Sequence, residues 1–408
     1  MKRFKKIVCA YSGGLDTSVM IPWLKENYGS DIVTYTGDLG QGDDLSGIRE
    51  KALRTGASMA FVDDLRSRFV DEFIWPSVKA GALYEGRYPL HTALGRPLLA
   101  RRLVEVAREV GADAIAHGCT GKGNDQVRFE VTSRALAPDL GVVAPLREWD
   151  MLTREDEIDY AIERGIQIPI TREKPYSIDQ NLWGCAVECG EMEDLWTEPP
   201  ADAWQMTSDP CEAPRGSTEV VIGFEAGIPV AINGEAMGGV ALIEALNALA
   251  GHYGVGRIDM VENRVVGLKS REVYEAPGAT LIHAAHSELE RICLDRATFN
   301  AMRRVSQDYA NIIYDGVWFG PLRDCLQAFC DRANERLTGD VRLRVSAGLV
   351  QTTGRSSKYS LYDEGLATYS EGDTFKRESA EGFLALYGLS YRTVATVRRR
   401  LGEDPLGQ

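Results

Sequence analysis

The sequence predicts an α/β fold: a parallel sheet with helices on both faces in the first part of the chain, an α+β region after it, and a helix at the C-terminal end. Three observations predict this. Over residues 5–163, short apolar runs alternate with longer amphipathic segments, the pattern of a parallel sheet whose crossover helices cover its faces. After about Thr171 the texture turns irregular and then mixed, with hairpin and helix patterns side by side. The last patterned segment, "YRTVATVRRRL", has helical spacing and a basic end, as helix C-termini favour.

In order along the chain, "KIVCAYS", "DIVTYTGD", "SMAFVDD", "DAIAHGC" and "GVVAPL" read as strands with helical patterns between them. The clearest helix is "RPLLARRLVEVAREVGA", in which Leu98, Leu99, Leu103, Val106 and Val110 fall on one face and Gly111 ends the run. "EKPYSIDQNLWG" then opens the second part, and the acidic, Pro-rich "TEPPADAWQMTSDPCEAP" reads as an irregular connection. Beyond it, "EVVIGFEAGIPVAINGEAM" predicts a hairpin, "LIEALNALAGHYG" a helix, and "NRVVGLKSREVYEAPGATLIHAAH" further strands with turns. Two long helices are expected over about 288–313 and 321–337, followed by a hairpin over "VRLRVSAGLVQTTGRS". No internal repeat or low-complexity tract is present.

Composition narrows the function. A chain of 408 residues suggests about two domains, large enough to enclose a deep site. Hydrophobic residues make up 44% and charged residues 26%, as in soluble globular proteins. Nowhere is there a run of about 18 apolar residues, so no membrane span is expected. The basic start "MKRFKKIVCAYSGG" meets glycines and an aspartate instead of a cleavage site, so no export signal is read. The eight cysteines, Cys9, Cys119, Cys185, Cys189, Cys211, Cys293, Cys325 and Cys330, are scattered and predict reduced thiols in a cytosolic protein. A net charge of -14 argues against a broad footprint for nucleic acid. Any anion must be held locally, by helix N-termini and backbone amides.

Two glycine loops offer such sites. "YSGGLDTS" leaves the first strand and enters a helix, which gathers unpaired N–H groups, a dipole end and the hydroxyls of Ser12, Thr17 and Ser18 around one point. Gly13 and Gly14 let the backbone approach a phosphate chain, and Asp16 suits a helix cap or a nucleotide-bound magnesium. The loop lacks the lysine of a Walker A motif and the spacing of a dinucleotide fingerprint. That fits pyrophosphate held as a unit while chemistry occurs at the α phosphate. The plain alternative is a turn with an N-capping hydroxyl. The second loop, "AHGCTGKGNDQVRFE", follows the strand "DAIA" and carries Thr120, Lys122, Asn124, Asp125 and Arg128 among its glycines. An arginine and an amide can donate to an amino acid's carboxylate while Asp125 accepts from its ammonium; the plain reading is a polar turn before a capped helix.

The first loop resembles the PP-loop of the N-type ATP pyrophosphatases. With "GALYEGRYPL", "HGCTGKGNDQVRFE", "YSIDQNLWG", "GVGRIDMVENRVVGLKSREVYEAPG" and "LYDEGLATY", nearly the whole chain resembles the argininosuccinate synthase family. The resemblance implies that citrulline is condensed with aspartate at the expense of ATP, giving argininosuccinate, AMP and pyrophosphate, with Mg2+ accompanying ATP and no tightly bound cofactor. It would place ATP on Ala10, Tyr11, Ser12, Gly13, Gly14, Leu15, Asp16, Thr17, Ser18 and Gly118, with Gly37 near the adenosine end. Aspartate would lie on Thr120, Asn124 and Asp125. Citrulline would lie on Tyr88, Asn124, Arg128, Ser177, Glu262 and Tyr274. It further implies a nucleotide-binding PP-loop domain over 1–168, a synthetase domain over 169–378 with the citrulline and aspartate sites and multimerisation contacts, and an oligomerisation helix over 379–408 of a cytoplasmic homotetramer.

Two departures stand out: family members often carry serine where this chain has Ala93 and Ala186. Each removes a hydroxyl available to citrulline, and Thr92 is placed to replace the first. The chemistry implied is attack of the ureido oxygen on the α phosphate, then displacement of AMP by the aspartate amine. Neither step needs a side-chain nucleophile, and either Asp125 or a phosphate oxygen would take the amine proton. His283 and His286 have the spacing of a helical metal pair but lack a third ligand. Cys185 and Cys189 lack zinc spacing, and Arg398, Arg399 and Arg400 suit a solvated helix end. Three rivals remain: a PP-loop tRNA-modifying enzyme, a nucleotide-binding regulator without turnover, and a paralogue acting on another ureido or amino acid.

Overall fold

In the computed structural model, which describes residues 3–42, 45–121, 123–151, 153–166 and 176–403, the five apolar runs of the first part become β1 (Lys6–Ala10), β2 (Asp31–Asp38), β3 (Met59–Asp64), β4 (Ala114–Ala116) and β5 (Gly141–Val143). They form one all-parallel sheet in the order β3-β2-β1-β4-β5. A strand covered on both faces needs apolar residues on both sides of its pleat. Ile7 and Cys9 pack in one core with Val19, Met20 and Leu24 of the helix Leu15–Tyr28, while Val8 packs in another with Leu94, Leu98 and Leu103 of the helix His91–Glu109. The chain runs outward from β1 through β2 to β3, then returns to β4 on the other side of β1. This reversal is the point at which parallel sheets open a crevice beyond their carboxyl ends, and both glycine loops leave from it. Lys122 and the expected boundary between 168 and 169 lie outside the described residues.

The second part contributes two antiparallel sheets. One has the order β11-β12-β7-β6, from β6 (Ser177–Asn181), β7 (Gly184–Glu188), β11 (Arg257–Asn263) and β12 (Lys269–Glu275). The other has the order β10-β9-β8-β13-β14, from β8 (Ser217–Glu225), β9 (Ile228–Ile232), β10 (Glu235–Ala236), β13 (Gly339–Ser346) and β14 (Leu349–Ser356). The stretch between β7 and β8 holds only two short 3-10 turns among its described elements, as its composition predicts.

Two expectations are corrected. The segment "APGATLIHAAH" does not continue as strands but forms the helix Pro277–Cys293; Pro277 sits in its first turn, where a fixed φ and a missing N–H are tolerated. The single helix expected over 288–313 is two. The first ends at Cys293, and Asp295 accepts from the N–H groups of Ala297 and Thr298 to start the helix Arg296–Tyr314, a side-chain cap of the usual kind. His286 Nε2 lies 2.8 Å from Asn334 Oδ1, and no group of three His, Cys, Asp or Glu among the described residues is placed to hold a metal.

Contacts divide the chain into two units, Met1–Tyr359 and Ser360–Gln408. The first contains all three sheets. The second contains the helices Ser379–Tyr387 and Leu389–Arg400, with Phe383 stacked on Tyr387 at 5.2 Å. No described helix is long and apolar enough to cross a membrane.

Candidate active site

The first glycine loop turns from β1 into its helix within four residues, with Gly14 at the N-cap. Gly13 has φ +79° and a Cβ there would meet Ile48 at 3.4 Å, whereas Gly14 has φ -71°. The conformational need for glycine therefore falls on Gly13. Ser12 Oγ lies 3.1 Å from Thr17 Oγ1, which gathers two hydroxyls at the helix N-terminus. Leu15 and Ser18 face inward instead, with Ser18 Oγ 3.4 Å from the Tyr11 hydroxyl. Lys51, from the helix Ile48–Thr55, donates to the Gly13 carbonyl. It gives the loop a nearby cation that its own sequence lacks. A Cβ on Gly118 would lie 3.3 Å from Thr17, so the two glycine loops abut.

Both loops open into one cavity of about 800 Å³. Its wall includes Ala10, Tyr11, Ser12, Thr17, Gly37 and Gly118 from the residues expected to bind ATP. It also includes Thr120, Asn124 and Asp125, and Tyr88, Arg128, Ser177, Glu262 and Tyr274. Gly13, Gly14, Leu15, Asp16 and Ser18 are not on that wall. The four-stranded sheet supplies much of it through its register. Asp179 pairs with Ala186, and Ala186 with Tyr274; one step along the same face, Ser177 pairs with Glu188. Side chains two apart share a face, so one face presents all five to the cavity. Ala186 is on this face, but Ala93 is fully buried in the core.

A polar network connects elements far apart in sequence. Tyr274 donates to Glu262 Oε2 at 2.8 Å, Tyr314 donates to Glu262 Oε1, and Asn124 Nδ2 donates to the Tyr314 hydroxyl at 2.9 Å. Arg128 donates through Nε to the Tyr314 carbonyl at 3.1 Å and through Nη1 to Asp125 Oδ1 at 3.0 Å. Two aromatic stacks brace it: Tyr88 on Tyr274 at 3.9 Å and Tyr84 on Tyr314 at 3.6 Å. Burial raises the Glu262 carboxyl above its ordinary range, against the hydrogen bonds of both tyrosines. Leu90, just before the helix His91–Glu109, has φ +67°, a conformation that costs about 1 to 2 kcal/mol for a residue with a Cβ. That turn separates Tyr88 from Thr92, both on the cavity wall.

The reading of the sequence missed several wall residues. Arg96 bridges Asp125 and Asp179, while Arg264 bridges Glu188 and Glu272. Arg96 opens "RPLLARRLVEVAREVGA" and Asp179 stands in "YSIDQNLWG", both stretches already singled out. The signal was there, a cation amid apolar neighbours, but its partner was not. Tyr314 carried no local signal.

The family model described as Arginosuccinate synthase N-terminal HUP domain matches residues 6–167, and that described as Arginosuccinate synthase C-terminal domain matches residues 176–394. The chain belongs to the argininosuccinate synthase family. An argininosuccinate synthase from Chlorobium luteolum is 54% identical over 96% of this chain and 98% of its own length, and one from Chlorobaculum parvum is 56% identical over the same shares. A solved U34-tRNA thiolase from Methanococcus maripaludis covers 42% of this chain at TM-score 0.27 and 16% identity, too distant a likeness to bear on fold or function. Membership makes the chain an ATP-dependent ligase of arginine biosynthesis that joins citrulline to aspartate.

Proposed function

We propose that this cavity holds ATP, citrulline and aspartate together and joins the two amino acids through a citrullyl-adenylate, with the residue roles set out above. The observation that carries the reading is that two glycine loops at the switch point of the sheet and one face of a second sheet wall a single cavity. The ureido oxygen attacks the α phosphate, and the aspartate amine then displaces AMP. A side-chain nucleophile is not required. Catalysis comes from holding the reactants in line, for which effective molarities are worth about 7 to 11 kcal/mol, and from loop amides that stabilise the departing pyrophosphate.

Glu262 and Arg128 offer a zwitterionic acceptor opposite charges within one hydrogen-bonded network. Mg2+ would arrive with ATP, neutralising phosphate charge. Asp16, in the first turn of the helix that the phosphate loop enters, is the residue suited to it. We further propose a cytoplasmic homotetramer. In the C-terminal unit Leu386, Tyr387 and Tyr391 are 76%, 64% and 72% exposed, apolar surface of the kind that marks contact sites.

Release of AMP from ATP tests the reading: the expected result is release with citrulline and aspartate together, and none with either alone. Release with neither pair nor single substrate contradicts it. A second acceptor is worth including because Ala186 brings a methyl, not a hydrogen-bond donor, to the wall; faster release with another ureido acid would favour that substrate. Ala93, inside the core, has no bearing on the choice.

A further inference from the structure

Asp125 and Asp179 share one guanidinium but are not equivalent. Arg96 Nε donates to Asp125 Oδ2 at 2.7 Å, and Arg96 Nη2 donates to Asp179. Asp125 has a second cation on its other oxygen, Arg128 Nη1 at 3.0 Å. Asp179 has Arg96 as its one ion-pair partner among the described residues. Its other neighbours bring no positive charge. The Thr92 hydroxyl faces it from the helix His91–Glu109, Asp125 from the helix after the second loop, and the Cys119 thiol from that loop. Ala186 stands opposite it on β7 with a methyl, which donates no hydrogen bond, and Glu188 lies one step further along that strand.

Electrostatics follow the same asymmetry. Burial alone would raise the Asp125 carboxyl, but Arg96 and Arg128 outweigh it and hold the group below its ordinary range. Burial raises Asp179, the charge of Asp125 adds to the rise, and Arg96 opposes it without cancelling it. Both carboxylates remain open to the cavity, with side chains 27% and 31% exposed. An acid held by two guanidiniums is a poor base; one that shares a single guanidinium and stands beside another carboxylate is a better one.

We propose that Asp179 is the proton acceptor for the amine of the incoming amino acid, and that Asp125 is the fixed anion that holds Arg96 and Arg128 in place. This rests on the two-step reading given above. The substrate ammonium gives one proton to an Asp179 oxygen, and the freed lone pair forms the new N–C bond to the activated carbon. The C–O bond to the phosphate then breaks, with its electron pair leaving on AMP, and Asp179 returns its proton to solvent.

The test compares wild type, Asp179→Asn and Asp179→Glu in the two half-reactions. One is citrulline-dependent exchange of pyrophosphate into ATP; the other is single-turnover formation of argininosuccinate after aspartate is added to the preformed adenylate. D179N is expected to keep exchange within about twofold, while condensation near pH 7 falls about 100-fold and recovers about tenfold per pH unit as free amine accumulates, the range for a lost general base. D179E is expected to restore much of the neutral-pH rate. A D179N condensation rate in constant ratio to wild type across pH, or equal loss of both half-reactions, overturns the assignment. If D179N does not fold, the D179E condensation profile decides: a displaced profile supports Asp179, and an unmoved one overturns it. A wild type that forms no argininosuccinate contradicts the parent reading and removes this one with it; a wild type that does, beside an unaltered D179N profile, contradicts the proton acceptor alone.

Discussion

Single residues in this site do their work by closing off alternatives. Gly13 sits at φ +79° against Ile48, so Gly13→Val combines left-handed strain with a clash at the phosphate loop. We predict loss of ATP-dependent pyrophosphate exchange, with the protein still folded by circular dichroism; retained exchange would mean that the loop does not hold the phosphates. Tyr314 ties Glu262 to Asn124, and Tyr314→Phe leaves both without that partner, at a cost of about 1 to 3 kcal/mol. The expected outcome is a rise of about tenfold or more in the KM for citrulline, each factor of ten being about 1.4 kcal/mol, with the KM for ATP little changed. Equal effects on both would show a general structural role. What was legible at this scale was whatever is local. The glycine loops declare themselves because absent side chains and clustered hydroxyls lie within a few positions of each other. Tyr314 meets Asn124 across 190 positions, and Arg96 meets Asp179 across 83; nothing near either residue announces the pairing.

Secondary elements decide which of these residues meet. Strands β1 and β2 were readable because two-sided burial leaves long apolar runs, and the parallel order of the five followed from the helices between them. The helix Pro277–Cys293 was read as strand because its proline and small apolar residues look like turn and strand, while the signal that decides, a proline in the first helical turn, is ambiguous without the fold. Register was not legible either, although it is what puts Ala186 between Asp179 and Tyr274. The same sheet carries a built-in pH response. Glu272 on β12 is buried beside Glu188, and its carboxyl is pushed from 4.5 up to about 8, burial being the larger cause and Arg264 opposing it. A raised folded pKa means that the folded state binds the proton more tightly. Its contribution to stability is therefore full below about 4.5 and is lost as pH rises through about 8. Thermal melts should show a falling Tm across that window, and Glu272→Gln should flatten the fall; an unchanged slope would remove Glu272 as its source.

On the scale of the molecule, one unit contains every cavity-wall residue and the other is a short helical segment rich in exposed apolar side chains. If those helices dock on other copies, Leu386→Glu combined with Tyr391→Glu should lower the mass measured by light scattering from tetramer to a smaller species. An unaltered mass would place the contacts elsewhere. The fold class was legible from the order of strands and helices, and the reaction class from two loops that share a switch point; the joining of both to a second sheet required the folded chain. The central claim is that the ureido oxygen of citrulline is activated by AMP inside this cavity. Citrulline labelled with oxygen-18 at the ureido position tests it directly. The account predicts that the label leaves on the phosphate of AMP during argininosuccinate formation, and label found in pyrophosphate, in water or retained in the amino-acid product would contradict it.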